Sequence, residues 1–566
     1  MTLEQRNQAP HKVKEERDVY ATMRDGVKLA LDVFRPEAEG KFPALLAMSP
    51  YGKGCQSTEL PPQPPNSPIH LNVRSVEAGD PRYIASNGYV HLIADVRGTG
   101  GSEGEYYGWM SKQEAQDGHD LVEWAAAQPW CDGNVGMVGI SYYGTIQLFV
   151  AAEQPPHLKA IMPWNAVGDY YREATHHGGI TQNFFYFLYQ LIGAERGVSA
   201  TKRDRSPEDY KQLVDRARND PDLRMYPDLF NIVDAPGKNP GYLDILVNYT
   251  DGQFYQERSM NNKYDKVKIP SYVSSGWWAH AHMHLQGTFA HYAEIDAKKK
   301  ITIFPTTSLH PLPVQFNDEV LRWFDYWLKG IDTGIMNEPP IKIYVMGDNK
   351  WRFENEWPLA RTQWTKYYLN QWEGLSTEQE LYSNEPDAFV QQPPIATSEI
   401  NSVKYQTKPL TQDIEVTGPI ALYLYASIDQ DDTNFHATLL DVGDDGSVSE
   451  PTKGFLKASH RKLDEALSKP YRPYHSHLEA EPVVPGEVYE YAIELPPTSN
   501  VFKKGHRIKI DISSMDHPSK GLLLNATLGA AHHPWHVNSS KTTLHKVYRS
   551  TKYPSHLLLP VIPSES

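Results

Sequence analysis

Apolar positions along the chain change period three times. Near the N-terminus, Val19–Met23 and Val27–Phe34 flank Arg24, Asp25 and Gly26, which predicts a β-hairpin closed by a glycine turn. Four apolar runs follow: Phe42–Met48, Tyr89–Ala94, Val135–Ile140 and Leu158–Trp164. Between the second and third, Leu121, Trp124, Ala125 and Gln128 fall at helical spacing, and Pro129 ends the pattern. Buried strands alternating with amphipathic helices predict a mostly parallel sheet. From 166 to 268 the pattern is helical, as in Phe184–Tyr189 and Tyr210–Ala217, with polar loops and no clear strand. Pro270–Gly276 and Lys300–Phe304 return as strands. Asp318–Gly330 then reads as a helix with Val320, Trp323, Phe324, Trp327 and Leu328 on one face. Beyond 346 the period becomes two, in Ile420–Ala426, Tyr489–Leu495 and Arg507–Ile512, as an antiparallel β-sandwich requires.

The chemistry concentrates where the third apolar run ends. Val135–Ile140 runs into Ser141, with Gly139 before it and Gly144 after it, and a helical pattern follows. A serine hydroxyl is a poor nucleophile unless a tight strand-to-helix turn holds it exposed beside a base, and only small neighbours fit such a turn. The spacing is Gly-x-Ser-x-x-Gly, which is weak alone. The order strand, loop, helix, strand, Ser141, helix gives it meaning, because an α/β hydrolase needs that order.

With these segments in place the chain resembles the cocaine esterase and X-Pro dipeptidyl-peptidase family of serine hydrolases. The resemblance rests on Ser49–Lys53, Asp95–Gly100, Gln128–Trp130, Gly139–Gly144 and Arg322–Gly330, in that order over nearly the whole chain. It implies an α/β hydrolase domain at 14–165 and 269–345, a helical cap at 166–268, and a jelly-roll-like sandwich at 346–566. It also implies roles for residues: Ser141 as nucleophile, His310 as general base, and the Tyr51 hydroxyl and Tyr142 N–H as oxyanion donors. Trp164, Phe184, Phe185, Trp277 and Trp278 are expected to line the substrate pocket.

One element of the family pattern is missing. An aspartate is expected just after the Gly276-Trp277-Trp278 turn, and that slot falls on Ala279 or His280. Without an acid, nothing fixes the histidine tautomer. Asp169, beyond the strand ending at Trp164, is the expected substitute. The alternation of His280, His282 and His284 would aim three imidazoles one way on a strand, but no carboxylate or cysteine follows closely, so neither a metal nor another cofactor is expected. Gly98–Gly101 lacks the lysine of a phosphate loop.

Composition narrows the partners. At 566 residues the chain is long enough for several domains, and a net charge of -15 argues against nucleic acid or an anionic membrane surface. No apolar run approaches a bilayer span, and the first residues lack a basic-then-apolar leader. With Cys55 and Cys131 as its two cysteines, the chain is expected in a reducing cytoplasm, as a monomer or a homo-oligomer. The reading is a serine hydrolase cleaving a small-molecule ester, amide or peptide through an acyl-enzyme. Two alternatives stay open: an X-Pro-type dipeptidyl-peptidase, and a binding protein that has lost catalysis with its acid.

Overall fold

Strands whose both faces are apolar lie at the centre of one sheet, and the hairpin lies at its edge. The computed structural model describes residues 11–56, 77–192, 194–277, 281–305, 313–381, 385–515 and 535–563. β1 (Val13–Thr22) and β2 (Lys28–Pro36) pair with Thr22 opposite Lys28, and Gly26 takes a φ of 87° in the turn. Then come β3 (Phe42–Ser49), β4 (Val90–Asp95), β5 (Cys131–Ile140) and β6 (Leu158–Trp164). A two-residue pair, β7 (His176–His177) and β8 (Ile180–Thr181), stands apart from the sheet. β9 (Ser271–Gly276), β10 (Lys299–Phe304), β11 (Ile341–Val345) and β12 (Lys350–Glu354) complete it. The order is β1-β2-β4-β3-β5-β6-β9-β10-β11-β12, and every pairing from β4 to β11 is parallel. The sheet continues into β12, past residue 346, because β11 turns back on itself as a hairpin.

That order places the site. The chain leaves β3 toward β4 on one side, then returns to β5 on the other, so the loops after β3 and β5 diverge and open a crevice at their carboxyl ends. Tyr51 follows β3 and Ser141 follows β5.

Helices cover both faces. α1 (Lys112–Ala126) opens with a capping box: Ser111 Oγ accepts from the Glu114 N–H, and the Glu114 carboxylate accepts from the Ser111 N–H at 2.9 Å. α2 (Tyr142–Ala152) packs so closely on α1 that a Cβ on Gly118 would lie 2.2 Å from Val150. α3 (Phe184–Leu191) belongs to the insertion after β6. α4 (Ala281–Glu294) follows β9, and α5 (Pro313–Lys329) follows β10. α5 sets Val320, Trp323, Phe324 and Leu328 against Leu45, Val138 and Met162, and Trp323 Nε1 donates to the Ile161 carbonyl at 3.1 Å.

The insertion between β6 and β9 begins with a wide helical turn, Tyr170–Thr175, and continues through helices such as Pro207–Asn219 and Gly241–Val247. It also carries the junction with the all-β sandwich. Arg172 Nη2 donates to the carbonyls of His475 and Ser476, the Lys457 N–H donates to Gly178 O, and His177 Nδ1 lies 2.8 Å from His536 Nε2. A Cβ on Gly178 would lie 2.0 Å from the Phe455 carbonyl oxygen, so only glycine permits this approach. The sandwich is an eleven-stranded sheet folded over a core of alternate residues, among them Leu422, Leu424, Ile493, Leu495, Ile508 and Ile510. No described helix is long and apolar enough to cross a membrane.

Several histidines are enclosed in this body as neutral rings. His291 Nε2 donates to the Ala166 carbonyl while the Tyr264 hydroxyl donates to Nδ1, and His475 Nε2 donates to the Ala492 carbonyl at 2.7 Å. Burial lowers both imidazoles to about 4. Each therefore stays neutral in the folded chain while its unfolded counterpart charges below pH ~6.5. Their stabilisation is full above that pH and is lost as pH falls toward 4, by up to roughly 3 kcal/mol per ring. The melting temperature should accordingly drop between pH 6.5 and 4.5; a flat profile over that window would contradict neutral burial.

Candidate active site

Ser141 takes a φ of 60° and a ψ of -117°, a strained conformation for a residue with a Cβ. Its surroundings hold it there. The Ile140 N–H donates to the Glu77 carbonyl at 2.8 Å, and the Ser141 N–H donates to the Trp164 carbonyl at 2.9 Å. A Cβ on Gly144 would sit 2.3 Å from that same Trp164 oxygen, and one on Gly139 would sit 2.3 Å from Tyr143 Cβ. These glycines let the helix start close enough to β6 for the bend to close. The Ser141 side chain makes no capping bond to α2 and keeps 8% of its surface exposed.

The Tyr51 ring meets the Tyr142 ring edge-on at 5.6 Å and the Tyr143 ring at 6.3 Å, which places Tyr51 beside the Ser141 turn. Burial pushes the Tyr51 phenol well above the usual tyrosine range, and the nearby Glu77 carboxylate adds to this. Tyr51 thus remains a proton donor at neutral pH. Tyr142 occupies the first position of α2, where the backbone N–H has no partner within its helix. The positive end of the α2 dipole points to the same place.

Trp109, from the loop before α1, and aromatic residues of the insertion pack together beside this turn. The Trp109 ring meets the Tyr142 ring edge-on at 4.7 Å and stacks on Tyr170 at 5.4 Å, and Phe185 packs edge-on against both Trp109 and Tyr170. The Trp109 N–H donates to the Tyr189 hydroxyl, which also meets the Tyr170 hydroxyl at 3.2 Å. Phe184 lies further out, against Phe185 and Trp535. Sequence reasoning missed Trp109, Tyr170 and Glu77, which lack a motif and reach the site only through the fold.

Other expected residues lie elsewhere. Trp164 contributes its carbonyl, but its ring is enclosed in the core between Tyr272 and Phe304. Trp277 is fully buried, donates Nε1 to the Tyr344 carbonyl, and packs on Phe289 and Trp357 on the far side of β10. Both sit at strand ends, where sequence shows proximity to the site but not which way a ring turns. Asp169 caps the turn Tyr170–Thr175. Its oxygens accept from the Arg172 N–H at 3.0 Å, Arg172 Nη1 at 2.8 Å and Asn261 Nδ2 at 2.7 Å, its hydrogen-bond donors among the described residues. The strand premise also fails for His282 and His284, which lie in the helix that begins at Ala281. His310, Trp278, Ala279 and His280 lie outside the described residues.

The fold and the bend at Ser141 define an α/β hydrolase carrying a β-sandwich. Residues 25–310 match the X-Pro dipeptidyl-peptidase (S15 family) model, and residues 333–558 match the X-Pro dipeptidyl-peptidase C-terminal non-catalytic domain. The chain belongs to that family and is a hydrolase. Cocaine esterase from Rhodococcus sp. (strain MB1 Bresler) is 28% identical over 600 residues, covering 96% of this chain and 98% of the esterase. A putative Xaa-Pro dipeptidyl-peptidase from Bacillus anthracis is 24% identical over 532 residues, covering 87% of this chain and 81% of that protein. A CocE/NonD family hydrolase from Staphylococcus aureus superposes with a TM-score of 0.77 at 23% identity, covering 100% of this chain and 99% of that one, a likeness of fold.

The shared carbonyl of Trp164 gives a direct check. Gly144→Ala should force α2 away from β6, lowering the melting temperature and reducing turnover at least about tenfold through displacement of Ser141. Wild-type stability and turnover in this variant would show that the close approach is not what holds the bend.

Proposed function

We propose that the protein hydrolyses a carboxylic ester through an acyl-enzyme on Ser141. The observation carrying this is the strained backbone of Ser141 at the start of α2, with Tyr51 packed on the next residue, Tyr142. In this reading His310 takes the Ser141 proton as Oγ attacks the carbonyl carbon. The Tyr51 hydroxyl and the Tyr142 N–H stabilise the tetrahedral oxyanion, and the histidinium protonates the departing alcohol as the C–O bond breaks. Water, deprotonated by the same histidine, then releases the acid and restores Ser141. The Trp109, Tyr170 and Phe185 layer would face the substrate side of Ser141. Asp169 serves as an anchor for Arg172 rather than as the orienting acid.

An ester is favoured over an X-Pro peptide because the esterase relative matches this chain more fully, in both identity and coverage, than the dipeptidyl-peptidase does. Short-chain nitrophenyl esters should be turned over and Xaa-Pro nitroanilides should not; the reverse preference would replace the reading with a dipeptidyl-peptidase. Ser141→Ala should abolish ester turnover and labelling by a fluorophosphonate while leaving the circular dichroism unchanged. Substantial turnover in the folded variant would remove Ser141 as nucleophile. Tyr51→Phe should lower kcat by about 10²–10³-fold with KM little changed, the usual loss of one oxyanion donor. A rise in KM alone would make Tyr51 a binding residue instead.

A further inference from the structure

We infer that Glu114 is a positioning residue of the oxyanion hole, acting through the phenol of Tyr142. The inference rests on the reading of Ser141 as nucleophile and extends it to a residue that touches no substrate. Glu114 is the third residue of α1, and its capping bond to Ser111 occupies Oε2. A capping-box glutamate needs only that one bond and ordinarily lies at the surface. Here Glu114 is 2% exposed, and Oε1 accepts from the Tyr142 hydroxyl at 2.5 Å, joining residues 28 apart in sequence. Burying a carboxylate is costly unless it is fully hydrogen-bonded, so this placement is retained only with both partners present.

The consequence falls on the first residue of α2. The Tyr142 side chain is held at its tip by Glu114, on one flank by Trp109 at 4.7 Å and on the other by Tyr51 at 5.6 Å. With the ring fixed at three points, the peptide N–H at the start of α2 has little freedom to swing away from the Ser141 hydroxyl. The Tyr51 ring, the other proposed donor, rests on the same Tyr142 ring. One carboxylate at the start of α1 therefore braces both proposed oxyanion donors. Burial pushes the Glu114 carboxyl up to about 7, opposed by hydrogen bonds from Tyr142 and Ser111, which agrees with a group enclosed among few donors.

The experiment compares Tyr142→Phe, Glu114→Gln, their double variant and Ser111→Ala in the full chain, using steady-state kinetics on a nitrophenyl ester and thermal melts. Tyr142→Phe removes one oxygen and keeps the ring and the α1 cap. Tyr142→Phe and Glu114→Gln should each lower kcat by about 10- to 100-fold, with KM within about twofold, because the donors are misplaced in the transition state. The double variant should fall no further than the worse single one, since both act on the same contact, Tyr142→Phe by removing it and Glu114→Gln by replacing a charged acceptor with a neutral amide. Ser111→Ala, which removes the cap and the 3.3 Å contact of Ser111 Oγ with Glu114 Oε2 but keeps the Ser111 N–H and Tyr142 bonds to Glu114, should lower the melting temperature and reduce kcat less than Tyr142→Phe does. A folded Tyr142→Phe variant with wild-type kcat, or one in which only KM rises, would overturn the inference even if Glu114→Gln fails to fold. Ser141→Ala separates the two levels. If it retains turnover, the nucleophile reading has failed; if it is dead while Tyr142→Phe is fully active, only the positioning role has.

Discussion

The catalytic half of the molecule depends on one carbonyl oxygen. The Trp164 oxygen, at the end of β6, accepts the Ser141 N–H at 2.9 Å and lies against the bare Cα of Gly144. Those contacts fix how close α2 comes to β6, and that distance fixes the unusual backbone of Ser141. Strain of this kind persists only where neighbours over-determine it. Here the neighbours are the Glu77 carbonyl, β6, and a helix buried along nearly its whole length. A loop serine between glycines would relax; this one cannot.

Around that point the structure is organised as a set of braces. α1 and α2 meet at Gly118 and Val150 and are tied at their N-terminal ends by Glu114 and Tyr142. Trp109, from the loop before α1, packs on Tyr142 and is backed by Tyr170 and Phe185 of the insertion, which is itself pinned to the sandwich by Arg172, Gly178 and His177. The β domain thus reaches the site at second hand, by fixing the insertion that covers it. This arrangement also explains why Asp169, near the site in sequence, is spent on Arg172: the residue belongs to the junction.

Much of the architecture was legible from periodicity because the strands differ in how they are buried. Leu158–Trp164 and Phe42–Met48 are apolar on both faces and can only be central, while the C-terminal strands alternate and can only face a single core. The Gly26 turn, the end of α1 near Pro129 and the bend at Ser141 each rest on residues with narrow conformational preferences. The pocket was less legible. Trp164 and Trp277 sit at strand ends beside the site, yet both rings turn into the core, whereas Trp109 and Tyr170 come from loops without a recognisable pattern. Likewise, Ser111-Lys112-Gln113-Glu114 is readable as a helix start, but not as a carboxylate aimed at Tyr142.

The sequence by itself determined the order of strands and helices, the nucleophile candidate and the family, because each depends on local spacing or on residue types that few backbones accept. Which side chains share the space above Ser141 was decided only by the tertiary structure. Ring orientation at a strand end, the second partner of a capping carboxylate and the commitment of Asp169 to Arg172 all depend on segments distant in sequence. Such pairings are fixed when α1, α2 and the insertion pack together, and no local pattern encodes them.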